Sequence, residues 1–208
     1  MRIQSKLEEQ LNTWSHGFGA ALGIIALVLL IINVDGVKPL HLFSVSVYGI
    51  SIIVLFLAST CYHAVTGEKR KHYFRIVDHI SIYLLIAGTY TPILLILLTN
   101  SLGWPLFWTV WGIAAFGILL KLFFTGRFEI LSTLLYLVMG WLIVFDYTNV
   151  AEALGTNGVF WLFSGGLFYT VGIVFYAIEK IPYNHVIWHL FVLGGAICHF
   201  FMIFLYVI

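Results

Sequence analysis

Seven long runs of apolar residues follow one another along the chain, separated by short polar stretches. A membrane-spanning helix needs roughly 20 predominantly apolar residues, and each run has about that length. The pattern therefore predicts an all-α membrane protein, a bundle of seven transmembrane helices that forms a single domain over residues 1–208. The predicted spans cover residues 14–33, 40–65, 74–98, 104–122, 128–147, 157–178 and 184–207.

Residues 1–13 precede the first predicted span and are mostly polar. Ile3, Leu7, Leu11 and Trp14 fall on one helical stripe, which is typical of a short amphipathic helix lying in the membrane interface. An ordinary polar tail is an equal alternative. The stretch lacks the short apolar core and cleavage site of a signal peptide, so we expect the first span to be retained.

Composition agrees with a protein that lies almost wholly in the membrane. Hydrophobic residues make up 62% of the chain and charged residues 9%, and the mean hydropathy is +1.03. A soluble domain has a far larger charged fraction. The net charge of +1 gives no reason to expect a nucleic-acid partner.

The basic residues predict the orientation of the bundle. With seven spans, nine of the ten Lys and Arg residues fall on the side of the amino terminus, and only Lys38 falls on the other side. Because basic residues accumulate in cytoplasmic loops, the amino terminus is predicted to be cytoplasmic and the carboxyl terminus to lie outside. This orientation is the reverse of that of G-protein-coupled receptors.

His185 and His189 stand one helical turn apart at the start of the seventh span. They are separated by a rise of about 6 Å along the helix, so both imidazoles can reach one ion at Zn–N distances of roughly 2.0 to 2.1 Å. Taken alone, such a pair is more often two packed or interfacial histidines than a metal site.

Segments 2 and 3 place further polar residues at the same side of the membrane. Ser59 and His63 share one face at the end of segment 2, and Asp78 lies about one turn into segment 3. His63 would add a third nitrogen and leave one position for water, as in catalytic zinc sites. Asp78 would then hold that water or act as base, and Ser59 would donate a hydrogen bond to it or to a developing oxyanion.

Each of these residues also has a simpler interpretation. Ser59 can bond to a carbonyl of its own helix, and Asp78 can pair with Arg75 three residues earlier. The metal site is favoured because three segments bring these residues to the same side of the membrane, the one that the Lys and Arg residues predict to be cytoplasmic.

The remaining histidines are weaker candidates. His16 opens segment 1 on the cytoplasmic side, as an outer partner of the metal site or as an interfacial histidine. His79 adjoins Asp78 but points about 100° away, so it is not expected to share a ligand position. His199 is about 15 Å beyond His189 along the helix, which predicts packing or an interhelical hydrogen bond.

Several stretches spread from the first span to the last carry a recognisable pattern. They are Glu8-Glu9-Gln10-Leu11-Asn12-Thr13-Trp14-Ser15-His16-Gly17, Ser59-Thr60-Cys61-Tyr62-His63, Asp78-His79, Ala87-Gly88-Thr89-Tyr90-Thr91-Pro92, and His185-Val186-Ile187-Trp188-His189 followed by His199-Phe200. In order and spacing they resemble the hemolysin III family, bacterial relatives of the progestin and adipoQ receptors. A serine stands at Ser15 where threonine is common.

The resemblance implies a seven-helix bundle in which His63, His185 and His189 hold Zn²⁺. It also implies that Asp78 contacts a water at the metal and that Ser59 lies nearby. The wider group includes alkaline ceramidases and receptor relatives with lipid amidase activity, which implies hydrolysis of a lipid amide. A bacterial inner (plasma) membrane is the implied location.

Three functions follow from these expectations. The first is a zinc-dependent intramembrane hydrolase that acts on a membrane lipid at the cytoplasmic side. The second is a membrane lipid sensor or regulator that zinc stabilises without chemistry. The third is a hemolysin-like cytolytic protein, which is less favoured because the polar residues gather at one end and do not line a path through the bilayer. The sequence indicates no particular protein partner.

Overall fold

A computed structural model describes residues 4–208 of the chain. Within this range the regular structure is helical and no strand is present, which confirms the all-α prediction. Arg2, used for the orientation, and Ile3, used for the amphipathic stripe, lie outside the described residues. The α-helices are α1 Lys6–Asn33, α2 Pro39–Ala64, α3 Glu68–Pro92, α4 Gly103–Phe124, α5 Glu129–Trp141, α6 Tyr147–Ala177 and α7 Asn184–Tyr206.

Helix α1 begins earlier than the predicted first span. The Ser5 side chain accepts a hydrogen bond from the Glu8 amide, and the Glu8 carboxylate accepts one from the Ser5 amide, forming a capping box. The helix then continues unbroken to Asn33, so residues 6–13 are its first two turns and not a separate helix. Whether these turns lie in the membrane interface stays a prediction.

The first turns of α1 bury two of their polar residues. Glu8 and Asn12 are buried, whereas Leu7 and Trp14 are exposed. The apolar stripe predicted from the sequence therefore faces away from the protein, as expected of a helix whose outer face contacts lipid. The buried polar side chains on the other face of α1 can therefore contact polar groups inside the bundle.

The chain reverses direction between α5 and α6. The indole Nε1 of Trp141 donates a hydrogen bond to Thr170 Oγ1 at 3.1 Å, although the two residues are 29 positions apart. In a straight helix that separation would be about 43 Å. The reversal takes place across a 3₁₀ turn at Leu142–Asp146 and a break at Gly155, which has a φ of 64° that favours glycine.

Six helical segments of the described chain are long and apolar enough to cross a membrane, one fewer than the seven predicted spans. The difference arises because the predicted spans 128–147 and 157–178 lie in one continuous helical stretch, Glu129–Ala177. The loop expected between them, residues 148–156, is helical except at the Gly155 break. The six segments are Lys6–Asn33, Pro39–Ala64, Glu68–Leu97, Gly103–Phe124, Glu129–Ala177 and Asn184–Tyr206.

The packing of the helices brings α1, α2, α3 and α7 together. Helix α2 packs against both α1 and α3, while α7 packs against α6 and also meets α1. Large side chains such as Tyr48, Phe56, Tyr83 and Met202 are fully buried in this part of the bundle. The end of α2, the start of α7 and the first turns of α1 therefore share one region.

Candidate metal centre

The three predicted zinc ligands meet in the folded chain. His63 lies in the last turn of α2, and His185 and His189 lie in the first two turns of α7. One nitrogen from each ring lies within 4.8 Å of the other two. The convergence inferred from spacing and orientation is thus present, and His63 and His189 are both buried.

The geometry fits a metal ion such as zinc. Nitrogens around a tetrahedral zinc at about 2.1 Å would be roughly 3.4 Å apart, which small ring movements can reach from the observed spacing. The Nε2 atom of His63 is buried and has no hydrogen-bond partner in the described chain. A buried nitrogen acceptor without a donor is destabilising unless something binds it, and a cation would do so.

Glu9 holds the other nitrogen of His63. Its Oε2 atom lies 2.7 Å from His63 Nδ1, and its Oε1 atom lies 2.5 Å from the Nζ atom of Lys71. A carboxylate only accepts, so Nδ1 carries the proton and Nε2 keeps its lone pair for the ion. Metal-binding histidines are commonly oriented by a carboxylate in this way.

Glu9 was not predicted to belong to the site, although the sequence around it indicates a polar neighbour. Glu9, Asn12 and His16 are spaced by three and four residues, so they form a polar stripe on one face of α1. On a helix otherwise rich in apolar residues, such a stripe indicates a polar neighbour inside the bundle.

His16 adjoins the three histidines without joining them as a ligand. Its ring stacks on His189 with a centroid separation of 3.6 Å and an interplanar angle of 9°. Ser15, the preceding residue, lies with its Oγ 3.4 Å from His189 Nδ1. The structure thus places His16 beside the site, where the sequence proposed an outer partner.

Ser59 and Asp78 lie on the same cavity wall as the histidines. Both residues line the cavity that His185 and His189 also line. The Ser59 side chain is close enough to interact with the Asp78 carboxyl group, and Arg75 adds a favourable charge. The interaction of Asp78 with Arg75 that the sequence suggested is compatible with a place in the site, whereas Ser59, for which the simpler interpretation was a bond to a carbonyl of its own helix, here interacts with Asp78. The catalytic roles of the two residues stay predictions.

His79 belongs to a different group of side chains, here called the Glu129 cluster. Glu129 accepts from Lys121 Nζ at 2.7 Å and from Arg75 at 3.1 Å, and its Oε2 atom is 3.8 Å from His79 Nδ1. Lys121 is only 1% exposed. This cluster joins α3, α4 and α5, and its members His79 and Glu129 also line the cavity.

Comparison with known proteins identifies the family. The family model described as Haemolysin-III related matches residues 4–200 of the chain. The chain belongs to the haemolysin III-related family. The resemblance recognised in the motifs is therefore confirmed, and with the apolar helices it makes this a multi-pass membrane protein.

Three similar proteins align with most of the chain. Hemolysin-3 of Bacillus cereus is 46% identical over 202 residues, which is 97% of this chain and 92% of the relative. The hemolysin-3 homolog of Bacillus subtilis is 45% identical over 200 residues, 96% and 94% of the two chains. The human monocyte to macrophage differentiation factor is 32% identical over 166 residues, 77% and 68% of the two chains.

The cavity of this haemolysin III-related protein extends from the histidines into the bundle. Its volume is about 130 Å³, and its wall runs from His185 and Asp78 to Tyr90 and His199. From His185 to His199 the rise along α7 is about 21 Å, more than the roughly 15 Å of one hydrocarbon leaflet. Most of its wall is apolar, and its polar lining residues include His185 and His189.

Proposed function

We propose that this protein is a zinc-dependent intramembrane hydrolase that cleaves a lipid amide or a related lipid at the cytoplasmic side. His63, His185 and His189 would hold the zinc. The observation that carries the proposal is that His63 converges with His185 and His189, and that these two line an apolar-walled cavity together with Asp78 and Ser59. An enzyme that cleaves a bond at a lipid headgroup needs its polar reacting groups next to an apolar space for the acyl chain.

Zinc, when bound, would supply a Lewis acid that makes water nucleophilic at neutral pH. The residues of the chain would perform the remaining tasks. Asp78 would accept the proton that the attacking water loses and pass it to the leaving amine. The Ser59 hydroxyl would donate a hydrogen bond to the carbonyl oxygen as negative charge develops there. The apolar wall would keep bulk water from the acyl chain.

The proposal includes a topology of seven crossings with a cytoplasmic amino terminus in a bacterial inner membrane. The reversal between α5 and α6 supports seven crossings, because Trp141 and Thr170 then lie on antiparallel legs. The distribution of Lys and Arg supports the orientation. In this orientation the ends of α2 and α7 that carry the histidines face the cytoplasm.

A regulator that binds lipid without cleaving it is the second candidate. The histidines join α2 to α7, and the hydrogen bond of Glu9 to His63 adds α1. A metal that fixes three helices around a lipid cavity would serve a sensor as well as an enzyme. The name hemolysin-3 of the Bacillus cereus relative keeps a cytolytic activity as the third candidate.

The decisive experiment compares the purified wild-type protein with Asp78→Asn in lipid nanodiscs. We expect both to retain one zinc per chain and only the wild type to release fatty acid from ceramide or other N-acyl amides. A loss of about 100-fold or more in rate would fit a missing general base. Wild-type protein that holds zinc but cleaves no amide or ester would exclude the hydrolase and leave the regulator. Vesicle leakage that survives loss of all three histidines would favour the cytolytic alternative.

A further inference from the structure

Two polar rings interlock α6 and α7 at the inner end of the cavity. The His199 ring of α7 lies against Gly165 of α6, where an added Cβ would be 2.3 Å from Cδ2 and Nε2 of the ring. The Tyr169 ring of α6 lies against Gly195 of α7, where an added Cβ would be 2.8 Å from the ring. In each helix the ring residue comes four positions after the glycine, so each helix offers one ring and one gap to the other. This mutual packing fixes the position of both rings.

The hydrogen bond of His199 determines which of its nitrogens remains available. Nε2 lies 3.2 Å from the carbonyl oxygen of Leu162, and a carbonyl only accepts, so Nε2 carries the proton. In a neutral imidazole Nδ1 is then an acceptor. Because the Cδ2–Nε2 edge faces Gly165, Nδ1 is on the ring edge turned away from that part of α6.

Both rings present an unpaired polar atom. His199 Nδ1 and Tyr169 Oη are buried and have no hydrogen-bond partner in residues 4–208. Both residues also line the cavity that begins at the zinc ligands. The ring centroids of Tyr169 and His199 are 5.6 Å apart. After a small movement of the rings, one hydroxyl group could satisfy both atoms, because it can donate to Nδ1 and accept from the tyrosine O–H. A carbonyl could not donate, and a methylene could do neither.

We propose that His199 and Tyr169 form a second, inner binding site for a hydroxyl group carried on the hydrocarbon chain of the lipid ligand. His199 follows His189 by ten residues, a rise of about 15 Å along α7. The favoured lipid therefore has a polar headgroup at the histidines and a hydroxyl near the middle of a long chain. The inference rests on the proposed function for the use of this lipid as substrate, but the binding preference can be tested without turnover.

The test measures binding of three probes to the full-length protein in nanodiscs. Octadecanoic acid, its derivative with a mid-chain hydroxyl, and its derivative with a hydroxyl beside the carboxylate compete against radiolabelled octadecanoic acid. We expect the mid-chain hydroxy acid to bind about fivefold more tightly than the other two, the gain typical of a net hydrogen bond.

Three variants separate the inner site from general effects on folding. His199→Phe should abolish the preference, and Tyr169→Phe, which removes only the hydroxyl, should reduce it. Tyr83→Phe is the matched control, because Tyr83 Oη is also buried and without a hydrogen-bond partner in the described chain but Tyr83 is not among the residues that line the cavity. It should keep the full preference. Octadecanoic acid should bind all folded variants with similar affinity.

Equal affinities of the wild type for the three acids would overturn the inner site and indicate that water alone meets these atoms. Failure of all three acids to bind, or a preference that survives both His199→Phe and Tyr169→Phe, would overturn it as well. A preserved preference in a protein that holds no zinc or cleaves no amide would instead contradict the proposed function alone.

Discussion

The histidine cluster of His63, His185 and His189 and the Glu129 cluster each contribute side chains to the lining of one cavity, and they differ in how their polar atoms are paired. In the Glu129 cluster both carboxylate oxygens meet a cationic side chain, and the backbone N–H of Gly126 also donates to Glu129. In the histidine cluster, Glu9 pairs one nitrogen of His63 and leaves the other without a partner in the described chain. His79 Nδ1 and Arg75 Nε of the Glu129 cluster also lack a hydrogen-bond partner among the described residues, but its carboxylate is fully paired with cations. The comparison supports a role in holding helices together for the Glu129 cluster and the proposed metal-binding role for the histidine cluster.

The largest effect is expected from removing one histidine. His189→Ala should lower the zinc affinity by about 100- to 1,000-fold, because zinc sites release about 10–16 kcal/mol over some four ligands. Metal analysis of the purified protein during titration with a chelator measures this. The same substitution at His16, which stacks on His189 but is not among the three converging ligands, should have a much smaller effect. Full zinc retention by His189→Ala would contradict the assignment of the site.

A substitution in the Glu129 cluster should lower stability and spare the metal. Glu129→Gln leaves the buried ammonium of Lys121 without its carboxylate. We expect a loss of about 2 kcal/mol in the free energy of unfolding, less than for a fully buried pair because Glu129 is 30% exposed. Unfolding in denaturing detergent measures this loss, with the exposed Glu152→Gln as control. If Glu129→Gln lost zinc while its free energy of unfolding stayed unchanged, the Glu129 cluster would be part of the metal site and not a structural contact.

The smallest effects are expected from changes to Glu9, which contacts His63, and to Lys71, which contacts Glu9. Glu9→Gln should weaken zinc binding about tenfold, since an amide holds the His63 ring less firmly than a carboxylate. Lys71→Gln should weaken it only a few-fold, because Lys71 acts through Glu9. Chelator titrations measure both, and Lys69→Gln, at an exposed position, should match the wild type. A larger effect of Lys71→Gln than of Glu9→Gln would contradict the view that Lys71 acts on the metal site through Glu9.

The sequence predicted the centre of the site because its ligands obey simple periodicity. His185 and His189 are one turn apart, and the positive-inside rule placed His63 and Asp78 on the same side, so convergence followed from spacing and orientation. Glu9 was missed because its partner is 54 residues away on another helix, and no local pattern links the two. Only the packing of α1 against α2 brings them together.

The reversal near Gly155 shows where hydrophobic patterning fails. A polar stretch between two apolar runs predicts a loop, yet residues 147–154 are helical, since helical hydrogen bonds can satisfy the backbone of polar and apolar residues alike. The left-handed backbone of Gly155 determines where the chain breaks. Glycine tolerates that conformation but does not require it, so the sequence alone could not locate the break.

The capping box at Ser5 has a practical consequence for anyone who handles this protein. Its two hydrogen bonds start the helix that carries Glu9 only one turn later. A shortened protein that begins after Ser5 would lack the cap, so the first turn would fray and the contact of Glu9 with the His63 ring would loosen. A preparation that keeps Ser5 and Glu8 retains both hydrogen bonds of the cap.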